Sequence, residues 1–440
     1  METRDADSTI LRYKGSYELA AGQQEVSSGT DARLDLDAET LTVLGDYGDI
    51  WVVPLRQIVR LGRADYRVNL ELQSGEMLSL FHLGFHYDGF WRDLTRLRNE
   101  LIITDSLMRE TIDFPGVEAH FWIDRDGLVE EGECEARLYE TALALMTEED
   151  GVMRIPYGLI AGVAEDDYTL VVKTEQGDTV RLSAMGRNTD PFRLRLSGAL
   201  NRITERTADF LRELCPDLSP VTVRQLANLL RDGRLAYRGD LEAISPGLWT
   251  RLEERLGEFG CRAELEYLAS LSSSEDLFIG MKRGLMGDLT GEYMWFLVPI
   301  LAAPGEPGNA MAMEVAAREG GGRATYFFRI ANREEYPDLD PDELASRARD
   351  VAAEINHCML LTNFRREPIY LPEDRLAEPR YARYVYAVHS LRPLQVLRHL
   401  FVGRVIHRSY DQWTRDVGEL LTFNVTTEDP SARWQRGPAK

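Results

Sequence analysis

The segment VPLRQIVRLGRADYRVNLELQSGEMLSLFHLG, residues 53–84, returns 102 positions later, without a gap, as IPYGLIAGVAEDDYTLVVKTEQGDTVRLSAMG, residues 155–186. Carried on to 53–101 against 155–203, the match has eleven identities in 49 positions: Pro54/Pro156, Ile58/Ile160, Asp65/Asp167, Tyr66/Tyr168, Gly75/Gly177, Leu80/Leu182, Gly84/Gly186, Asp88/Asp190, Phe90/Phe192, Leu94/Leu196 and Asn99/Asn201. Such a repeat constrains the fold more than composition does, because one supersecondary unit has to satisfy both copies.

The pattern within each copy says what that unit is. Tyr66, Val68, Leu70 and Leu72 alternate with polar residues, as do Tyr168, Leu170 and Val172, which is the period of a half-buried strand. A glycine turn (QSGE, EQGD) leads to a second strand through Leu78 and Leu80, or Val180 and Leu182, closing a hairpin. The earlier segments TLTVL and DIWVVP, or TALALM and GVMRIP, add strands to the same antiparallel sheet. After Gly84 and Gly186 the period changes. Phe90, Leu94, Leu97 and Leu101, like Phe192, Leu196, Ala199 and Ile203, form the apolar stripe of a helix, with Asp88 and Asp190 expected as N-caps and Pro191 at the first helical position.

About seven short strands closed by one amphipathic C-terminal helix resemble the pleckstrin-homology-like (PH-like) superfold. The IPYGLIAGV…DYTLVVKTEQGDTVRLSAMG stretch is similar to the central strands of bacterial PH-like and GRAM domains. Two modules in tandem also resemble the middle region of FACT-type histone-chaperone subunits. The resemblance covers roughly residues 10–215 and implies binding of lipids, peptides or proteins rather than one function. PH domains that hold phosphoinositides present Lys and Arg between their first strands; here the corresponding segments read DLDAET and MTEEDGV, so phosphoinositide binding is not expected.

The remaining chain divides at PDLSP, residues 216–220. The expected organisation is an α+β protein: PH-like modules over 1–110 and 111–215, a helical hairpin over 216–275, and a mixed α+β domain over 276–440. In the last, EYMWFLVPI, AMAMEVAA and ATYFFRIA read as strands, and Asp340-Pro341-Asp342-Glu343 as the capped start of a helix running to about Asn363. This meander and helix, whose Asn356 resembles Asn99 and Asn201 but follows its aspartate by sixteen residues rather than eleven, could form a third, diverged PH-like unit.

Charge bears on partners. The chain has 440 residues and a formal charge of -22, and from Asp124 to Asp150 ten carboxylates face only Arg125 and Arg137. That surface repels nucleic acid and anionic lipid; it reads as a solvated face or a dock for a basic protein. No apolar run is long enough to span a bilayer and the start METRDADSTI lacks a basic, apolar leader, so a cytoplasmic location is expected, consistent with four dispersed cysteines. Four lysines among 51 basic residues suggest a GC-rich, bacterial genome.

The segment 379–410 has no acid and carries Arg380, Arg383, Arg392, Arg398, Arg404 and Arg408 with His389, His399 and His407, interleaved with Tyr381, Tyr384, Tyr386 and Phe401. Leu394, Leu397, Phe401 and Val405 read as one helical stripe, leaving Arg404 and Arg408 a turn apart on a neighbouring face. Such a patch could hold phosphates, nucleic acid or an acidic partner, or pair with the protein's own acids.

Reactive chemistry is harder to find. FIGMKRGLMGDLTG sets Gly280, Gly284, Gly287 and Gly291 around Lys282 and Arg283, a weak anion loop without the phosphate-loop order. His82 and His86 lack further ligands at metal spacing, and adjacent His357 and Cys358 point about 100° apart on a helix. No catalytic residues, cofactor or metal are assigned. The expectation is a non-catalytic adaptor that binds other proteins through tandem PH-like modules, the alternative being a nucleic-acid- or nucleotide-associated, chaperone-like factor using 379–410.

Overall fold

In the computed structural model the described residues are 10–22, 24–45, 48–107, 110–125, 127–148, 151–272, 275–283, 291–303, 305–317 and 323–426. The first copy has β1 (Leu11–Ala21), β2 (Gln24–Leu36), β3 (Thr40–Leu44), β4 (Ile50–Pro54), β5 (Ile58–Ala64), β6 (Arg67–Leu72), β7 (Glu76–Phe81) and α1 (Tyr87–Leu107). The second repeats it as β8 (Ile112–Arg125), β9 (Leu128–Tyr139), β10 (Ala142–Thr147), β11 (Val152–Pro156), β12 (Ile160–Asp166), β13 (Thr169–Thr174), β14 (Thr179–Ser183) and α2 (Thr189–Leu214). Each forms a seven-stranded antiparallel sheet of the same order, β4-β3-β2-β1-β7-β6-β5 and β11-β10-β9-β8-β14-β13-β12, so the first strand pairs with the last and the sheet curls round its core.

The identities now have causes. Asp65 and Tyr66 take φ of 51° and 58°, and Asp167 and Tyr168 take 45° and 60°; two successive left-handed residues make the tight hairpin turn whose twist matches its strands. The tyrosines therefore stand at the turn, exposed, rather than opening the strand as their alternation suggested. Phe90, Leu94, Phe192 and Leu196 are fully buried beneath the sheets. Asp88 and Asp190 lie inside the first helical turn instead of capping it, because a short 3₁₀ turn (Gly84–His86, Gly186–Asn188) runs straight into each helix. Pro191 accordingly is the third residue of α2, still inside the first turn, where its missing N–H costs little.

The rest of the chain comprises α3 (Pro220–Leu229), β15 (Ala236–Tyr237), α4 (Arg238–Ile244), α5 (Leu248–Glu258), α6 (Arg262–Ser270), β16 (Phe278–Arg283), β17 (Glu292–Ile300), β18 (Ala310–Ala317) and β19 (Ala324–Arg329). It ends with α7 (Pro341–Leu361), α8 (Glu367–Tyr370), α9 (Val385–Ser390), α10 (Arg392–Leu400), β20 (Phe401–Ile406) and α11 (Tyr410–Thr426). Residues 220–270 are not a hairpin linking two units: α3 to α6 pack one face of the sheet together with α11, through Leu226, Trp249, Leu252, Phe296 and Trp413, while α7 to α10 cover the other through Trp295, Phe328, Ile355 and Leu397. The sheet is buried on both faces, which explains its unbroken apolar strands. Its order, β15-β16-β17-β18-β19-β20, is a meander without the first-to-last pairing of the two copies, so it does not repeat their topology. The start of α7 is capped reciprocally as expected: Glu343 N donates to the Asp340 carboxylate at 2.8 Å and Asp340 N to that of Glu343 at 3.1 Å.

Candidate functional site

The basic segment is the first candidate, and folding disperses it. The helix α10 ends at Leu400 and 401–406 is a strand pairing with β19, Arg404 opposite Tyr326, so Arg404 and Arg408 do not share a helical face. Val402, Val405 and Ile406 favour extended backbone, and the open edge of β19 decides between the two periods. Arg404 lies 3.7 Å from the Tyr370 ring centroid, while Arg380 pairs with Glu378 at 3.0 Å and covers the ring of Tyr381. Tyr384 is buried and its hydroxyl is pushed up to about 12 by that burial, so it is no stacking platform. Tyr386 is spent on the Val152 backbone, donating to its carbonyl at 2.9 Å. Arg383 is exposed, Arg392 is exposed and faces Glu354, and Arg408 is exposed beyond β20.

A cleft of about 450 Å³ lies there, lined by Glu373, His389, Gln395, Arg398 and His399. Arg398 is fixed from behind: Nη1 donates to the carbonyls of Pro368 at 2.6 Å and Leu371 at 2.8 Å. Burial lowers the affinity of His389 for a proton.

Lys282 and Arg283 are strand residues of β16. Lys282 is buried against Asp232 at 2.9 Å, and Arg283 is held by Glu292 and Glu213. Gly280 is required by a neighbour rather than by phosphate: the Trp295 indole crosses it to donate to Gly233 O at 2.7 Å, and a Cβ on residue 280 would lie 2.2 Å from that nitrogen. Gly284 and Gly287 lie outside the described residues. His82 meets Ser16, and among the described residues no cluster of His, Cys, Asp or Glu could hold a metal ion. His357 is pushed down to about 4 by burial and by Arg125, and burial raises the Cys358 thiol, so neither serves the other.

A group that the sequence reading passed over lies between β18, β20 and α6. Glu314 is fully buried; its Oε2 accepts from Thr325 at 2.6 Å and sits 3.0 Å from His407 Nε2, whose Nδ1 is 3.5 Å from Glu264. The imidazole stacks on Trp413, which donates to Thr325. Burial opposes the charge on His407, but the two carboxylates outweigh it and hold its pKa up to about 9. The signal was Glu314, one acid inside AMAMEVAA.

The third candidate is a surface that the repeat makes legible. In the second copy the outer face of β10 and β11 is covered by α1: Ile102 and Ile103 bury against Ala142, Ala144, Met146 and Val152. Asn99 of α1 donates to Thr147 O at 2.8 Å, and Glu100 accepts from Arg137 of β9 at 2.7 Å. Arg154 of β11 turns the other way along this seam, donating to Leu361 O at 3.0 Å and to Leu360 O, with Glu110 3.7 Å away. Further arginines clamp carbonyls, Arg98 on Ile58 and Val59 within the first copy, and Arg231 on Ile160 and Arg365 on Asp105 between units.

The matching face of the first copy is open. Its register is the same, Asp35 opposite Thr42 opposite Val52 and Arg33 opposite Leu44 opposite Ile50, but Ile50 is 61% and Val52 58% exposed. Of the acidic run, Glu148 is used between the copies, on Arg63 at 3.3 Å, and Glu135 on Arg137; Glu131 and Glu133 stay exposed on β9. No helix among the described residues is long and apolar enough to cross a membrane. No protein-family model matches the sequence, and no curated protein matches it.

Proposed function

We propose that this chain is a non-catalytic scaffold that binds other proteins through tandem PH-like modules, kept in fixed relation by the third unit. Seven antiparallel strands and one closing helix per copy support the PH-like reading. The observation that carries the function is the contrast between copies: one sheet face buries a helix, and the same face on the other copy leaves Ile50 and Val52 in water. Two neighbouring exposed aliphatics on an edge strand are costly to leave bare and mark a contact surface. Partners on this reading include basic proteins, met by Glu131 and Glu133. The test is affinity purification of the full chain at low and high salt from cells that express it. One stoichiometric protein retained at both, and lost with Ile50→Asp/Val52→Asp, is the expected result; nucleic acid recovered at low salt alone counts against it.

The cleft beside α10 favours a second reading, a nucleic-acid- or nucleotide-associated factor using 379–410. There an Arg398, Arg404 and Arg408 triple replacement would abolish a salt-sensitive affinity for DNA or RNA. Pairing of Arg380 and burial of Tyr384 leave that surface fewer groups than its composition promises.

A further inference from the structure

We infer that the open face of β2, β3 and β4 takes a helix of a partner protein, laid on it as α1 lies on the second copy and carrying a Lys or Arg just before a pair of aliphatic residues. The inference rests on the scaffold reading and adds the partner's chemistry.

The template is internal. On α1 the order is Asn99, Glu100, then Ile102 and Ile103, the amide reaching the Thr147 carbonyl, the carboxylate meeting Arg137, and the isoleucines covering Ala144, Met146 and Val152. Moving back by the repeat, Gly45 stands for Thr147, Thr42 for Ala144, Leu44 for Met146, and Ile50 for Val152. Among the described residues this floor, small and apolar, is left part-exposed, Ile50 and Val52 most of all.

The charges fix the sign of the partner. In the second copy Glu135 and Arg137 pair along β9 at 2.7 Å, and Arg137 also takes Glu100 from the helix. In the first copy the pair is reversed: Arg33 stands where Glu135 does, Asp35 where Arg137 does, and Arg33 Nε donates to Asp35 at 2.9 Å. A helix docked in the same register therefore presents a cation to Asp35 where α1 presents Glu100.

A second copy of the chain supplies half of this. The equivalent positions on α2 are Asn201 and Arg202, both exposed and of the required kind, but Thr204 and Glu205 follow where Ile102 and Ile103 stand. Arg202 already pairs with Asp113 at 2.6 Å, and a threonine and a glutamate give up the apolar contact that the isoleucines of α1 make, so the occupant is another protein.

The test places the photo-crosslinking residue benzoylphenylalanine at position 52 of the full chain, in cells that express it, and maps the linked segment by mass spectrometry. The expected product is a helical segment with Lys or Arg shortly before two aliphatic residues. Its yield should fall about fivefold in the Arg33→Asp/Asp35→Arg exchange, which keeps the intrastrand pair and so the fold but turns the wrong charge outward. Linkage to 201–205 of another copy, or to an extended segment, overturns the helix inference and leaves the scaffold standing. An unchanged yield in the exchange overturns the charge rule and the inference with it. No protein linked at position 52 overturns both readings.

Discussion

Raising the pH should unfasten the third unit at His407, and the size of the effect follows from its surroundings. The imidazole is held between Glu314 and Glu264, is mostly buried, and has its pKa raised from 6.5 to about 9. A folded pKa above the unfolded one stabilises the fold fully below pH 6.5, and the contribution is lost as pH rises through about 9. The difference corresponds to about 3 kcal/mol, with a limiting slope of about 1.4 kcal/mol per pH unit. The lowered pKa of Glu264 reports the same contact from the other side and is not counted again. Urea unfolding followed by tryptophan fluorescence between pH 6 and 9.5 measures this directly, since Trp413 stacks on the imidazole at 5.2 Å. Other groups titrate in that range, so the comparison is with His407→Gln, which should be less stable at pH 6.5 and flatter with pH. Parallel stability curves for the two proteins would refute the reasoning.

The other predictions concern groups whose environments are equally specific. Arg154→Met leaves the fully buried Glu110 without its cation and should cost about 3–5 kcal/mol in urea unfolding, much of it recovered by adding Glu110→Gln. Gly280→Ala drives a methyl into the Trp295 indole and Gly233 O; a loss of about 2 kcal/mol or more is expected from the same assay, and a neutral result would mean that the indole does not cross there. Of the four cysteines only Cys215 is part-exposed, whereas burial lifts Cys134 and Cys261 to about 12, so a thiol reagent should label Cys215 first and the others only on unfolding.

The two copies were legible because their identities sit where local chemistry is demanding: the Asp-Tyr left-handed turns, the prolines opening each 3₁₀ turn, and the phenylalanine and leucine under each sheet. These requirements are short-range and leave a residue-by-residue trace. The third unit obeyed long-range ones. Leu394, Leu397, Phe401 and Val405 fit a helix by spacing, and only the free edge of β19 turns the last two into a strand. Arginine in 379–410 announces charge but not what the charge faces, and Arg398 faces carbonyls. Glu314 and His407 are 93 residues apart, so the lone acid in an apolar strand was visible while its partner was not. Gly280 is a similar case, since the need for it arises from Trp295 on the next strand.

Divergence between the copies follows from what each has to carry on its outer face. The second copy places Ala142 and Ala144 under α1 where the first has Thr40 and Thr42, residues small enough for a helix to pack on yet able to hydrogen-bond water. Both faces of β10 are consequently buried along its whole length, and Arg154, shut off from water, has to find the carbonyls at the end of α7. That chain of consequences welds the second copy to its neighbours on two sides. The first copy has threonines there and an Asp35 paired with Arg33 along its own strand, all of which tolerate water. One duplicated unit thus has its outer face buried in one position and exposed in the other, through changes at a few positions of that face.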